Sequence, residues 1–343
     1  MNEEKMKSAD DIILLSHGGG GTRTSELLKS VILPVLDNPV LAKLDDAACL
    51  SLPSSELAFT TDSYVVKPLF FPGGDIGRLA VCGTVNDLAM QGSKPRYLGL
   101  GLILEEGLRV ADVRRVVESI ARAAKEAEVE VVTGDTKVVE RSAGGGLFIN
   151  TSGIGIRRAG VDTHVSNARP GDVVIVSGSV GDHGVAVMSA REGLNFQAHI
   201  ESDVAPLAGM IGRLLDAVPG VRCLRDPTRG GLAAALNDIA RASSVCVRIR
   251  EQAIPVREEV RGACSLLGFD PLEVANEGKA LIVCGAADEE RVLAALRADP
   301  LGGEARAIGC VTADPRGRVL LETALGGERM VDVPTGENLP RIC

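Results

Sequence analysis

Apolar and polar positions along this chain alternate between a helical period and a two-residue period, and the switches between them mark out its elements. Thr24 to Leu33 carries helical spacing, and Leu57 to Thr61 alternates as a strand ending in Asp62. Asp75 to Met90 predicts a nearly all-apolar helix, with Asp75 near its start and Gly92 just past its end. Leu98 to Leu104 predicts a strand, and Ala111 to Ala127 an amphipathic helix with Val113, Val116, Val117, Ile120 and Ala124 on one face. Val129 to Thr133 and Leu147 to Ile156 predict two more strands. From Arg157 to Pro170 the composition turns polar, and Ala168-Arg169-Pro170-Gly171-Asp172 signals a turn, which places a domain boundary near residue 157. The second half restarts with the strand Val173 to Ser177. Helices are then expected near 182–191, 203–218, 230–243, 256–267 and 287–298, with strands near 246–250, 281–285, 306–311 and 318–323. Interleaved strands and helices in both halves predict an α/β (α+β) fold in two domains, 1–157 and 158–332. Periodicity does not reveal strand order. The segment 333–343, with Pro334, Gly336, Pro340 and no helical period, reads as an extended, mobile tail.

Composition narrows the function classes. A length of 343 residues suits two domains at roughly 150 residues each. Apolar residues make up 45% and charged residues 24%, ordinary for a globular chain. The formal net charge of −9, with no basic block, argues against nucleic acid or an anionic membrane as partner. Six Phe, two Tyr and no Trp leave little for base stacking. Eight cysteines form no C-x-x-C pair, so neither a disulfide framework nor a zinc ribbon is indicated. The N-terminus has no signal-peptide core, and the longest apolar stretch, Leu98 to Leu104, is too short to span a bilayer. The chain reads as soluble and cytoplasmic.

The candidate chemistry is carried by acids. Asp45-Asp46 precedes Ala47-Ala48, Asp62 ends one strand, Asp135 follows another, and Asp226 opens Asp226-Pro227-Thr228-Arg229-Gly230-Gly231. Asp87 lies inside the apolar helix, where a carboxylate is seldom tolerated unless it pairs, caps or binds a cation. Carboxylates converging at strand ends suit a hard cation such as Mg²⁺, with phosphate oxygens as co-ligands. Neither a P-loop nor a dinucleotide fingerprint is present. The run His17-Gly18-Gly19-Gly20-Gly21-Thr22 is either an arm or a lid whose bare amides wrap phosphates. Asp226 to Gly231 reads as a tight turn feeding a helix N-terminus, where free amides and the Arg229 charge favour anions. Lys137 and Glu277 are either proton-handling groups or surface charges. His164, His183 and His199 show no metal-ligand spacing.

These residues resemble a known family. Asp45-Asp46-Ala47-Ala48, Thr60-Thr61-Asp62, Val85-Asn86-Asp87-Leu88-Ala89-Met90-Gln91-Gly92, Gly134-Asp135-Thr136-Lys137, Asp226-Pro227-Thr228-Arg229-Gly230-Gly231 and the final Pro340-Arg341-Ile342-Cys343 are similar to the HypE hydrogenase-maturation family. That family lies within the aminoimidazole-ribonucleotide synthetase and selenophosphate synthetase superfamily, and the likeness runs from the His17 segment to the last residue. Leu44 departs from the glycine usual before the acidic pair. The resemblance implies mixed sheets flanked by helices, a homodimer, and ATP with Mg²⁺ near the dimer interface. It implies that Asp45, Asp46, Thr61, Asp62, Asn86, Asp87, Gly134, Asp135 and Arg229 bind the nucleotide, and that Asp46, Asp62, Asp87 and Asp226 hold metal. It also implies a reaction. Cys343 receives a carbamoyl group from HypF, and ATP drives its dehydration to a thiocyanate with Lys137 or Glu277 taking protons. The cyanide then passes to iron on HypC–HypD for [NiFe] hydrogenase. Selenophosphate synthetase would want a reactive Cys or selenocysteine and a Lys in the glycine-rich segment, which has neither. A thiamine-monophosphate kinase would have no use for Cys343, and a scaffold would need no ATP.

Overall fold

The computed structural model of the chain describes residues 12–18, 22–36, 38–43, 48, 50, 52–53, 56–141, 146–192 and 200–333. Strands β1 (Leu57–Tyr64), β2 (Ser93–Glu105), β3 (Glu130–Val139) and β4 (Leu147–Arg157) form a four-stranded sheet in the order β1-β4-β2-β3. Only β2 and β3 are parallel, and a parallel pair requires a crossover. Helix α2 (Val110–Glu126) supplies it, burying the stripe Val113, Val116, Val117 and Ile120 against the sheet beside α1 (Ile76–Met90). Asp75 caps α1, its Oδ1 accepting from the amides of Gly77 and Arg78 at 2.8 and 3.0 Å. The polar face that α1 lacks is explained by its far end. Ala89 and Met90 enter the core of the second half, so the helix is buried on nearly every side.

That second half is a seven-stranded sheet. Strands β5 (Asp172–Val176), β6 (Cys223–Arg225), β7 (Cys246–Arg250), β8 (Leu281–Gly285), β9 (Arg306–Thr312), β10 (Arg318–Glu322) and β11 (Glu328–Met330) stand in the order β11-β10-β7-β9-β5-β8-β6. Helix α3 (Asp182–Glu192) packs toward the first half, whereas α4 (Ala208–Ala217) covers Ile175 and Ile282 on one sheet face. Helix α5 (Gly231–Ala242) covers Val174, Val176 and Val283 on the other. With both faces buried, β5 is a continuous apolar run rather than an alternating one. Helix α6 (Glu258–Leu267) joins α3, and α7 (Glu289–Arg297) lies beside α4. Past β11, the Val331 carbonyl accepts from Asn237 Nδ2 of α5 at 2.8 Å. No helix among the described residues is long and apolar enough to cross a membrane.

Several expectations need correction. The Thr24–Leu33 helix is interrupted: Thr22–Leu27 is α-helical, Leu28–Ile32 is a π turn, and Leu33–Leu36 is α-helical again. Asp62 and Asp135 lie inside strands rather than at their ends, and so does Lys137. Backbone pairing continues through Asp62 with Thr151 and through Lys137 with Ile103. The polar side chains of Thr61, Asp135 and Lys137 are tolerated because no described element covers that sheet face, where Leu57, Phe59, Ile103 and Val139 are also exposed.

Candidate active site

Where β1, α1, the turn before α5 and the loop before β8 meet, a pocket of about 180 Å³ is lined by Asp62, Tyr64, Gly83, Asp87, Asp226, Thr228, Arg229 and Glu277. The local sequence makes this convergence possible. Residues 60, 62 and 64 share the face of β1 that looks toward α1, and Thr60 Oγ1 donates to Asp87 Oδ2 at 3.0 Å. Gly230 and Gly231 take φ of +77° and +60°, which turns the chain sharply into α5. A side chain at Gly231 would also strike the carbonyls of Leu272 and Val274 at 2.5 and 2.6 Å.

Four carboxyl groups meet in this small space. Burial, then the neighbouring charge of Asp226, pushes Asp87 up from 3.8 to about 7, against the opposing pull of the Thr60 hydroxyl. Burial raises Asp226 too, with Arg225 opposing and Asp62 reinforcing. Glu277 is raised well above the ordinary carboxyl range, first by burial and then by Asp226, Asp203, Asp62 and Asp87. Such a site either holds protons or welcomes a cation. Among the described residues no three His, Cys, Asp or Glu side chains close around one metal position. The hard oxygen donors nonetheless fit Mg²⁺ that draws further ligands from phosphate and water.

Glu277 is held by backbone contacts rather than by its carboxyl. Its amide donates to Asp203 Oδ1 at 3.0 Å, and Lys279 Nζ sits 3.2 Å from Asp203 Oδ2. Asn86, expected at the nucleotide, is 2% exposed and fully engaged. Its Nδ2 donates to the carbonyls of Ala205 and Glu277 at 3.0 and 3.3 Å, and its Oδ1 accepts from Leu207 N at 2.7 Å. Asn86 thus pins two second-half loops to α1. The same bonds keep 203–207 out of helix, so α4 starts later than periodicity suggests.

The structure therefore brings Asp62, Asp87, Asp226, Arg229 and Glu277 together, with Asn86 behind them. It does not bring Thr61, Gly134, Asp135 or Lys137 to this pocket within one chain. Thr61 faces the opposite side of β1, bonding Ser152 and the Thr151 carbonyl. Lys137, exposed and 3.5 Å from Asp135, lies on β3 at the far edge of the sheet, three strand spacings or about 14 Å from β1. Asp45, Asp46 and Cys343 lie outside the described residues. Sequence reasoning passed over Thr60 and Tyr64. Their spacing of two on either side of Asp62 was the available signal.

A second cleft, of about 670 Å³, shares Asp87 and Asp226 with that pocket and has Thr60, Arg157, His164 and Arg225 on its walls. The two sheets and this shared site define a two-domain architecture of a recognised kind. Residues 44–157 match the family model "AIR synthase related protein, N-terminal domain", and residues 169–322 match its C-terminal counterpart. The carbamoyl dehydratase HypE of Azotobacter vinelandii is 54% identical over 95% of this chain and 96% of its own length. A crystal structure of a HypE in complex with ATP superposes with a TM-score of 0.93 at 49% identity, covering 96% of this chain and 99% of that one. A HypE–HypF complex superposes at 0.79 and 46% identity, covering 92% and 100%. Within the AIR synthase related proteins, the chain belongs to the HypE family of carbamoyl dehydratases. The thiamine monophosphate kinase of Aquifex aeolicus, at 22% identity and a TM-score of 0.59, shares the fold alone.

Proposed function

We propose that this chain, as a homodimer with ATP and Mg²⁺, dehydrates an S-carboxamide on Cys343 to a thiocyanate. HypF supplies the carbamoyl group, and the cyano group passes onward to iron on HypC–HypD for [NiFe] hydrogenase. The carboxamide oxygen attacks the γ-phosphorus, and the bond to ADP breaks. The carbon–oxygen bond then breaks, phosphate leaves, and the nitrogen gives up both protons as the carbon–nitrogen triple bond forms. Asp62, Asp87 and Asp226 would hold Mg²⁺, which when bound would supply neutralisation of the charge on the phosphoryl group. Arg229 adds a fixed positive charge, and the larger cleft has ordinary ligand size for the rest of the nucleotide.

One observation carries this reading. Glu277 lines the acidic pocket beside Asp62, Asp87 and Asp226, where burial and those neighbours raise its proton affinity and so strengthen it as a proton acceptor. Lys137 and Asp135 join the site from the partner chain. The uncovered sheet face bearing Lys137 and Thr61, with Phe59 69% and Leu57 43% exposed, supports pairing with a second copy. Intact mass after incubation with HypF, carbamoyl phosphate and ATP tests the proposal. A gain of about 25 Da on Cys343, absent in Cys343→Ala with ATP binding retained, is the expected result. The same adduct on another cysteine overturns it.

A further inference from the structure

Tyr64 takes no part in the scheme above, yet it lines the acidic pocket with Gly83 and is only 2% exposed. Its hydroxyl lies 3.3 Å from Thr84 Oγ1, which lies 2.5 Å from Thr151 Oγ1, which in turn lies 3.3 Å from the Ala80 carbonyl oxygen. Each hydroxyl owns one proton, and the row ends on a carbonyl, which can only accept. Thr151 therefore donates to Ala80, Thr84 donates to Thr151, and Tyr64 donates to Thr84. The phenol's proton is committed inward, so its oxygen offers the pocket lone pairs and no donor. Gly83 makes room for this: a Cβ there would stand 2.3 Å from the Tyr64 hydroxyl oxygen. A glycine inside a helix is otherwise unfavourable, so its place beneath the phenol is a second sign of a built site.

A carboxylate, a phosphate or a free thiolate has no proton to give such an acceptor, whereas a primary amide has two. We propose that Tyr64 reads the substrate as an amide: its oxygen accepts one N–H of the S-carboxamide and so turns the carbonyl oxygen toward the γ-phosphate. This rests on the dehydration reading and adds to it the group that sets which end of the amide is phosphorylated.

The test compares wild type, Tyr64→Phe, Thr84→Val and Thr84→Ser, each with HypF, carbamoyl phosphate and ATP. The readouts are intact mass for carboxamide (about +43 Da) and thiocyanate (about +25 Da), ADP released per thiocyanate, and ATP affinity by calorimetry. Tyr64→Phe is expected to bind ATP normally and accumulate carboxamide, with conversion slowed about tenfold or more and ADP released in excess of thiocyanate. Thr84→Val, which frees the phenol to donate into the pocket, behaves the same way, and Thr84→Ser restores coupled turnover. Conversion at the wild-type rate in Tyr64→Phe or Thr84→Val overturns the inference. Parallel loss of ATP affinity and thermal stability in all three variants also overturns it, leaving a structural role. A wild-type chain that forms no thiocyanate refutes the dehydration reading itself, which separates the two failures.

Discussion

Replacing Asp87 with Asn takes away one negative charge and keeps an acceptor for the Thr60 hydroxyl. In the folded chain Asp87 titrates at about 7, against 3.8 for an unperturbed aspartate. Between those values the unfolded chain loses its proton first. Stability therefore falls as pH climbs from about 4 to about 7 and stays lowered above that. At about 1.36 kcal/mol per unit, the shift from 3.8 to about 7 costs the wild type up to about 4 kcal/mol. Asn carries no such cost. Urea unfolding without Mg²⁺ is expected to show Asp87→Asn more stable than wild type above neutral pH, by up to that amount, with the gap closing below about pH 4. Mg²⁺ with ATP is expected to reverse the order, because only the wild type offers the ion a carboxylate at position 87, and turnover of the variant to fall tenfold or more, about 1.4 kcal/mol per tenfold. A variant no more stable than wild type at alkaline pH, or one stabilised equally by Mg²⁺ and ATP, refutes both the charge crowding and the metal role.

Asn86→Ala leaves the Ala205 carbonyl and the Leu207 amide without this partner, takes one of two donors from the Glu277 carbonyl, and is expected to lower stability by about 2–3 kcal/mol. Denaturant titration measures this, and turnover should drop further than ATP affinity as Glu277 loses its seat. Lys137→Ala and Glu277→Ala, each inactive alone, are expected to regain about a quarter of wild-type thiocyanate yield when mixed and allowed to exchange subunits, since half the dimers then hold one complete site. No recovery in verified mixed dimers means Lys137 does not serve the partner's pocket.

What the sequence discloses here is what periodicity and local chemistry can encode. The α2 stripe and the Asp75 cap stand close to their expected places because each depends on neighbours within a few turns. Asp87 is conspicuous because a carboxylate inside an apolar helix needs a reason. Glu277 is not: Ala275-Asn276-Glu277-Gly278-Lys279 looks like a surface turn. Its burial comes from Asn86, 191 residues away, and from Asp203. Lys137 and Glu277 read alike in the sequence, as proton-handling groups or surface charges, and nothing local tells that β3 joins the sheet beyond β2 and carries Lys137 to the opposite edge. Strand order is set by the crossover, and a two-residue period is silent about it.

The bond from Asn237 to the Val331 carbonyl fixes the point from which the last twelve residues run to Cys343. Asn237 lies six residues along α5 from Gly231, so the anchor is about 9 Å from the helix end that borders the pocket. Twelve residues can span at most about 40–43 Å, far more than that gap requires. Covalent attachment raises the effective concentration of a group at its own site, with no binding energy spent on it. On the dehydration we propose, Cys343 then needs little grip from the pocket. A weakly gripped product leaves as easily as it arrived, which is what a sulfur obliged to visit a donor, a nucleotide and an acceptor in turn requires.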